Sequence, residues 1–393
     1  MNSIAFVGTY PPRRCGIATF TDHLFQNIQS VGKRNDRDKV IVLCNENDDL
    51  TAYQNRSNFW LLPMNNRADY KQMAKKVNSS DISLVVLEHE FGIFGGEAGE
   101  YIIDFVKELK KPLITTFHTI FADPPMPYRR IQQFIADESD AIIVMNRQAI
   151  SYLKRAYRLP EKKIYYIPHG SPKPRKKERK SLRHFLGFEN RKVLLTFGLL
   201  NRGKGIESVI ASLPGVVEKV PETLYVIAGQ THPEVKKREG EAYRKELEEL
   251  IKRLKLENNV KMVDRYFSED ELVSYLTACD LFITPYPGMQ QITSGTLAYA
   301  VGVGRAVLTT PYEHARDLLN GCEELILPYG DTKAWEQTLL KLLSNDEELH
   351  KWENRIREIG EATHWPNVAK QHLQLFSKLI EETNGEMKTA GGF

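Results

Sequence analysis

Twelve short apolar runs, falling into two sets of six, constrain the fold of this chain more than any other feature. The first set is 4–7, 40–44, 84–87, 113–117, 141–145 and 164–167. The second is 193–197, 224–228, 260–263, 281–284, 306–309 and 325–327. Runs apolar at every position, rather than at alternate ones, suit strands covered on both faces, as in a parallel sheet. Segments with helical spacing lie between them: Phe20, Leu24 and Ile28; Ile206, Val209, Ile210 and Leu213; Leu247, Leu250, Ile251 and Leu254. Strands alternating with helices predict βαβ units and doubly wound sheets. The clearest break is 168–174, which holds three prolines together with Gly170 and Ser171.

The chain therefore reads as α/β, with two facing Rossmann-like doubly wound domains and an interdomain cleft. The N-terminal domain is placed over 1–172 and completed by a C-terminal helix over 366–383. The second domain is placed over 173–365, and 384–393 is expected to be a flexible tail. The length of 393 residues fits two or three domains of roughly 100–200 residues each. Open α/β sheets bind ligands at the carboxyl ends of their strands. Two such sheets facing each other suit transfer between two bound molecules.

Lys and Arg number 54 against 51 Asp and Glu, a net charge of +3, so the whole chain carries no nucleic-acid footprint. Seven of the eleven residues over 173–183 are basic. Two readings stand for that run: a solvated connector, or a peripheral contact with an anionic membrane. Cys15, Cys44, Cys279 and Cys322 form no CxxC pair and are expected to be reduced thiols. There is no signal-peptide pattern and no apolar stretch of about 18 residues. The expected location is cytoplasmic, with membrane association left open.

Four loops could carry chemistry. The strand at 193–197 runs into Gly198, Arg202, Gly203, Lys204 and Gly205 before a helix begins. Glycines let a backbone approach a ligand, a helix N-terminus favours anions, and Lys204 and Arg202 add charge. A P-loop needs Ser or Thr after its Lys, and Gly205 stands there, which turns the reading from an NTPase to a diphosphate grip. The second loop offers Gln290, Gln291 and Thr293, followed by Ser294-Gly295-Thr296 opening a helix with Ser as its cap. The third, 8–16, brings Arg13 and Arg14 to a helix N-terminus. The fourth comprises Glu88-His89-Glu90 and His118, polar groups at strand ends that can exchange protons or orient hydroxyls. No metal motif is present, since three adjacent strand residues cannot all face one ion. No nucleophile–base set is recognisable.

At these residues the chain resembles the group-1 (retaining) nucleotide-sugar glycosyltransferases of GT-B fold. The landmarks are PPRRCGIATFTDHL at 11–24, EHEFGIFGG at 88–96, TTFHT at 115–119, YYIPHG at 165–170, FGLLNRGKGI at 197–206, YVIAG at 225–229 and SGTLAYAVGVGRAVLTTPY at 294–312. The resemblance implies a nucleoside diphosphate sugar as donor substrate, a glycan acceptor and no required cofactor. It implies that Gly16 lies near the donor's phosphates and that His118 contacts the transferred sugar. Lys204, with Gly198, would bind the diphosphate, Arg265 and Tyr266 would lie near the base, and Ser294, Gly295 and Thr296 would contact phosphate and sugar. Arg14 and Glu90 belong to the acceptor side.

Departures from the family pattern are specific. Leu199 stands where the family has Arg, with Arg202 as its expected substitute. Met289 and Leu297 occupy the positions of an acidic pair, with Gln290 or Gln291 expected to hold the ribose instead. Cys15-Gly16 replaces a pair of glycines. A binding homologue without turnover, a sugar-nucleotide epimerase and a phosphorylase are the alternatives.

Overall fold

The computed structural model describes residues 2–34, 37–45, 48, 50–53, 56–175 and 179–390, with the side chains of 384–390 left aside. The chain divides into two compact units. The first is Met1–Gly170 with Trp365–Phe393, and the second is Ser171–His364.

The first unit holds seven parallel strands: β1 (Ser3–Gly8), β2 (Lys39–Cys44), β3 (Phe59–Pro63), β4 (Ile82–His89), β5 (Leu113–Phe117), β6 (Ala141–Val144) and β7 (Ile164–Tyr166). They lie in the order β3-β2-β1-β4-β5-β6-β7. β1, β5 and β6 are buried along their whole length, and β4 at every position but Ser83, as their apolar runs require. β3 is missing from the apolar runs of the sequence. It is an edge strand with Leu61 facing outward and Pro63 at its end, a pattern that edges tolerate. The helix Gly16–Gly32 packs against the last helix, Trp365–Ala390. Phe376 from that last helix meets Phe6 of β1 edge to face at 6.3 Å. Burying one such ring contributes roughly 1.5–3 kcal/mol. The last helix runs on to Ala390 instead of ending near 383. After Asn384-Gly385 the chain has no proline, and Glu, Met, Lys and Ala are good helix formers. Residues 391–393 of the expected tail lie outside the described residues.

The second unit holds five parallel strands: β8 (Lys192–Phe197), β9 (Thr223–Ala228), β10 (Val260–Val263), β11 (Leu281–Thr284) and β12 (Val307–Thr309), in the order β10-β9-β8-β11-β12. The run 325–327 does not make a sixth strand. Leu325 ends a 3-10 turn, Glu323–Leu325, and only Ile326 bridges to Thr309. Its apolar side chains fill the core beside β12 instead of extending the sheet.

The basic run also resolves differently from a free connector. Arg179–Leu186 is a helix. Arg179 and Arg183 donate to the two carboxylate oxygens of Asp280 at 2.6 and 3.1 Å, and Arg175 pairs with Asp270. Three of the seven basic groups thus serve the fold of this unit, while Lys176, Lys177 and Glu178 lie outside the described residues. Among the described residues no helix is long and apolar enough to cross a membrane.

In each sheet the strand order reverses at one place, between β1 and β4 in the first unit and between β8 and β11 in the second. Ligands of open α/β sheets bind outside the strand ends at such points. The polar loops of the sequence follow these strands.

Candidate functional site

In the second unit, β8 is followed by Gly198, whose φ of +127° is open to glycine and strained for other residues. The chain then makes a 3-10 turn, Arg202–Lys204, capped by the Asn201 side chain accepting from the Gly203 N–H at 2.9 Å. Gly205 follows with φ +60°, and a Cβ there would lie 2.1 Å from the Pro285 carbonyl oxygen. The turn is therefore seated against the chain leaving β11, and the helix Ile206–Lys219 begins immediately.

Lys204 points back over that junction. Its Nζ donates to the Tyr286 hydroxyl at 2.9 Å and sits 4.6 Å from the centre of the same ring. A Cβ on Gly198 would lie 3.3 Å from that Nζ and 3.5 Å from the Thr296 methyl. The Tyr286 hydroxyl is 2.7 Å from Thr296 Oγ1, which is 3.2 Å from Ser294 Oγ. Ser294 caps the helix Gly295–Gly302 by accepting from the Leu297 N–H at 3.3 Å. Four polar side chains, one glycine and one helix N-terminus thus converge. Among the described residues no carboxylate pairs with Lys204. Burial pushes the Tyr286 phenol up. The Lys204 ammonium beside it, with the hydroxyls of Thr296 and Ser294, outweighs burial and leaves it below the ordinary tyrosine range.

Two residues absent from the sequence reading hold this arrangement. Tyr286 is 1% exposed and stacks on Tyr312 at 5.1 Å, and its carbonyl accepts from the Thr310 hydroxyl. His314 Nδ1 accepts from the Ser294 N–H at 2.8 Å, and the His314 N–H donates to the Gln291 carbonyl. Burial pulls the His314 imidazole down to about 4, so it is neutral at pH 7 and suited to accept. Tyr286 was visible in the sequence only as the end of an apolar run, and His314 as one polar residue after another.

The other expected donor-side residues are placed as follows. Arg202 is bound to both oxygens of Glu246, at 2.6 and 2.5 Å, and its guanidinium lies over the Tyr243 ring. Arg265 pairs with Glu271 at 2.7 Å and covers the Phe267 ring, and Tyr266 beside it is exposed. Gln290 and Gln291 are exposed, with the Gln291 amide donating to the Thr293 carbonyl. Thr293 Oγ1 is buried without a partner among the described residues. Leu297 packs fully in the core. Leu199 accepts from the Asn201 amide through its backbone carbonyl.

In the first unit, Gly16 opens the helix Gly16–Gly32 behind Cys15. The Cys15 sulfur accepts from the Ala18 N–H at 3.4 Å and lies 3.2 Å from the Thr9 hydroxyl. Nothing lies within 4 Å of a Cβ built on Gly16. Arg14 follows Arg13, which reaches the Met64 sulfur at 3.6 Å. His118, just beyond β5, lies 2.8 Å from Glu88 Oε2 through Nε2, and Phe20 meets its ring edge to face. Glu90 accepts from the Thr119 hydroxyl at 2.7 Å and from the Phe91 N–H. His89 is directed into Phe91, Phe94 and Phe117. The three adjacent residues Glu88, His89 and Glu90 thus have three separate environments. Among the described residues no group of three His, Cys, Asp or Glu side chains is placed to hold a metal ion.

Residues 178–359 match the family model Glycosyl transferases group 1, and residues 18–171 match the model Glycosyltransferase Family 4. No curated protein sequence matches the chain. Similar solved structures include Anabaena HepE in complex with UDP and glucose, with a TM-score of 0.76 and 16% identity, covering 96% of this chain and 100% of that one. A glycosyltransferase from Rickettsia africae ESF-5 aligns with a TM-score of 0.76 and 14% identity, over 96% and 99%. The UDP-GlcNAc 2-epimerase from Neisseria meningitidis aligns with a TM-score of 0.64 and 15% identity, over 96% and 100%. At these identities the likeness establishes the architecture, two parallel α/β units of GT-B type, and leaves the chemistry to the residues.

Proposed function

We propose, for a chain that belongs to the group 1 glycosyltransferases of GT-B fold, transfer of a sugar from a nucleoside diphosphate sugar to a hydroxyl acceptor of a glycan or lipid-linked glycan, with retention at the sugar carbon. The observation that carries this reading is Lys204. It is a cation with no carboxylate partner among the described residues, held by Tyr286 beside the N-terminus of the helix that Ser294 caps.

When the sugar–phosphate bond breaks, negative charge grows on the leaving diphosphate. Lys204, the Thr296 and Ser294 hydroxyls and the free N–H groups of the helix Gly295–Gly302 supply donors already in place for that charge. The acceptor's proton passes to the departing phosphate oxygen, so no protein nucleophile is required. A fixed cation and neutral donors fill the role that a divalent ion fills elsewhere, and no cofactor is assigned. Arg202 and Arg265 would join only by leaving Glu246 and Glu271. Gln290 and Gln291 are the proposed ribose contacts, both being exposed beside the cap. In the first unit, Arg14, Glu90 and His118, the last oriented by Glu88, are assigned to the acceptor and the transferred sugar.

The test is a donor panel led by UDP-glucose, the ligand class found with HepE, with UDP, GDP and ADP binding followed by calorimetry. A wild-type protein that binds none of them and transfers nothing sinks the reading. Leu297 in the core and neutral residues at 289–291 favour one second reading, a homologue that binds nucleotide without turnover. Binding with no transfer to any acceptor identifies it. Conversion of one free sugar nucleotide into its epimer, with no acceptor present, identifies an epimerase instead.

A further inference from the structure

We infer that Tyr286 is a positioning residue that transmits the charge of Lys204 to the helix N-terminus through a one-way chain of hydrogen bonds, so that lysine and hydroxyls act on a donor diphosphate as one unit. This rests on the diphosphate assignment above and adds to it a residue that itself touches no ligand, being 1% exposed.

The direction of the chain follows from chemistry. An ammonium only donates, so the Tyr286 oxygen accepts from Lys204 at 2.9 Å. The single phenol proton is then left for Thr296 Oγ1 at 2.7 Å. The Thr296 proton is in turn free for Ser294 Oγ at 3.2 Å or for a ligand oxygen. Ser294, only 4% exposed, accepts from the Leu297 N–H and ends the series at the helix cap. Thr296, the partly exposed hydroxyl of the series, is thus the one that can present its proton to an anion, polarised by Lys204 through Tyr286.

The tyrosine is fixed as such a relay must be. Its ring stacks on Tyr312, its carbonyl accepts from Thr310, and Tyr312 is itself tied to Thr284 at 3.0 Å. Lys204 meets both the hydroxyl and the face of the ring, so the flexible lysine chain is ordered before any ligand arrives. Lys204 pulls the phenol down against the rise from burial, with help from the Thr296 and Ser294 hydroxyls, which accords with a close contact among these groups.

The experiment compares UDP and uridine binding by calorimetry in the wild type, Tyr286→Phe, Lys204→Ala and the double variant. Phe keeps the ring and removes only the relay oxygen. The expected result is a loss of UDP affinity of about tenfold, the scale of one charge-assisted hydrogen bond. Uridine affinity should stay unchanged, and Tyr286→Phe should have no further effect once Lys204 is gone. If Tyr286→Phe proves too unstable to measure, Thr296→Val, at a partly exposed position downstream in the chain, is compared in the wild-type and Lys204→Ala backgrounds, and its loss of UDP affinity should shrink once Lys204 is gone, as a direct contact independent of Lys204 would not. Equal losses for UDP and uridine mean a merely structural tyrosine and overturn the inference. So do unchanged UDP affinity in Tyr286→Phe, and additive effects of either Tyr286→Phe or Thr296→Val with Lys204→Ala. If the wild type binds no nucleoside diphosphate, the donor assignment itself falls, and this role falls with it.

Discussion

His118 Nε2 lies 2.8 Å from Oε2 of Glu88, with 6% and 0% of the two side chains exposed. Glu88 is the penultimate residue of β4 and His118 lies just beyond the neighbouring β5, thirty positions on in sequence. Parallel pairing sets Glu88 level with Thr116, and His118, two residues further along, turns to the same face. Burying a carboxylate is costly unless it is paired, and His118 is its close partner, with the Thr116 hydroxyl farther off at 3.5 Å.

Glu88→Ala should therefore lower stability by about 1–3 kcal/mol in urea unfolding, since it leaves the buried His118 Nε2 without its hydrogen-bond partner. Glu88→Gln keeps an acceptor for Nε2 and should cost clearly less. Equal, small losses for both variants would show that the pair does not hold the fold.

Stability should fall with acid between about pH 6.5 and 4. His314 has an ordinary value of 6.5 in the unfolded chain and about 4 when folded. Burial is the dominant cause, opposed by Asp317 and the Ser294 N–H. Above 6.5 both states are neutral, and the contribution is fully present. Below 6.5 the unfolded chain takes up the proton first, so unfolding is favoured until the folded imidazole also titrates near 4. The effect is on the order of 3 kcal/mol. His314→Asn retains an acceptor for the Ser294 N–H without titrating, and should flatten this part of the stability–pH curve from urea titrations. An unchanged curve refutes the assignment.

His89→Leu should leave stability unchanged or raise it by about 1 kcal/mol. Both ring nitrogens of His89 are buried without a partner among the described residues, inside a phenylalanine cage. Replacing an unpaired polar group with an apolar one removes a desolvation cost. A large loss of sugar transfer with an unchanged melting temperature would instead give His89 a role in the reaction.

Gly205→Ala should cost about 1–3 kcal/mol and weaken UDP binding, because its φ of +60° is strained for alanine and the new methyl would press on the Pro285 carbonyl. Thermal unfolding with and without UDP checks both effects. The control Gly187→Ala has a similar φ of +69° and open space around it, and should lose only the backbone part.

Much of the fold was legible in the sequence. Continuous apolar runs marked β1, β4, β5, β6 and β8, because strands covered on both faces cannot afford polar positions. The edge strand β3 escaped, since one of its faces is open to water. The run 325–327 misled for the opposite reason: apolar side chains show burial and do not by themselves show pairing. Ser294 was legible as a cap because capping is a local matter of one side chain and the next three N–H groups.

Local regularities thus determined the strands, the helices, the division into two α/β units and the glycine-bordered loops, because periodicity, backbone strain and capping act over a few residues. Partners were decided by the tertiary structure. Tyr286 meets Lys204 across 82 positions, Arg202 finds Glu246 across 44, and Glu88 finds His118 across 30. Nothing in the residues around Lys204 and Arg202 distinguishes the two cations. Strand order does so, by setting β11 beside β8 and bringing a tyrosine to one of them, while a carboxylate from the helix Ala242–Arg253 reaches the other.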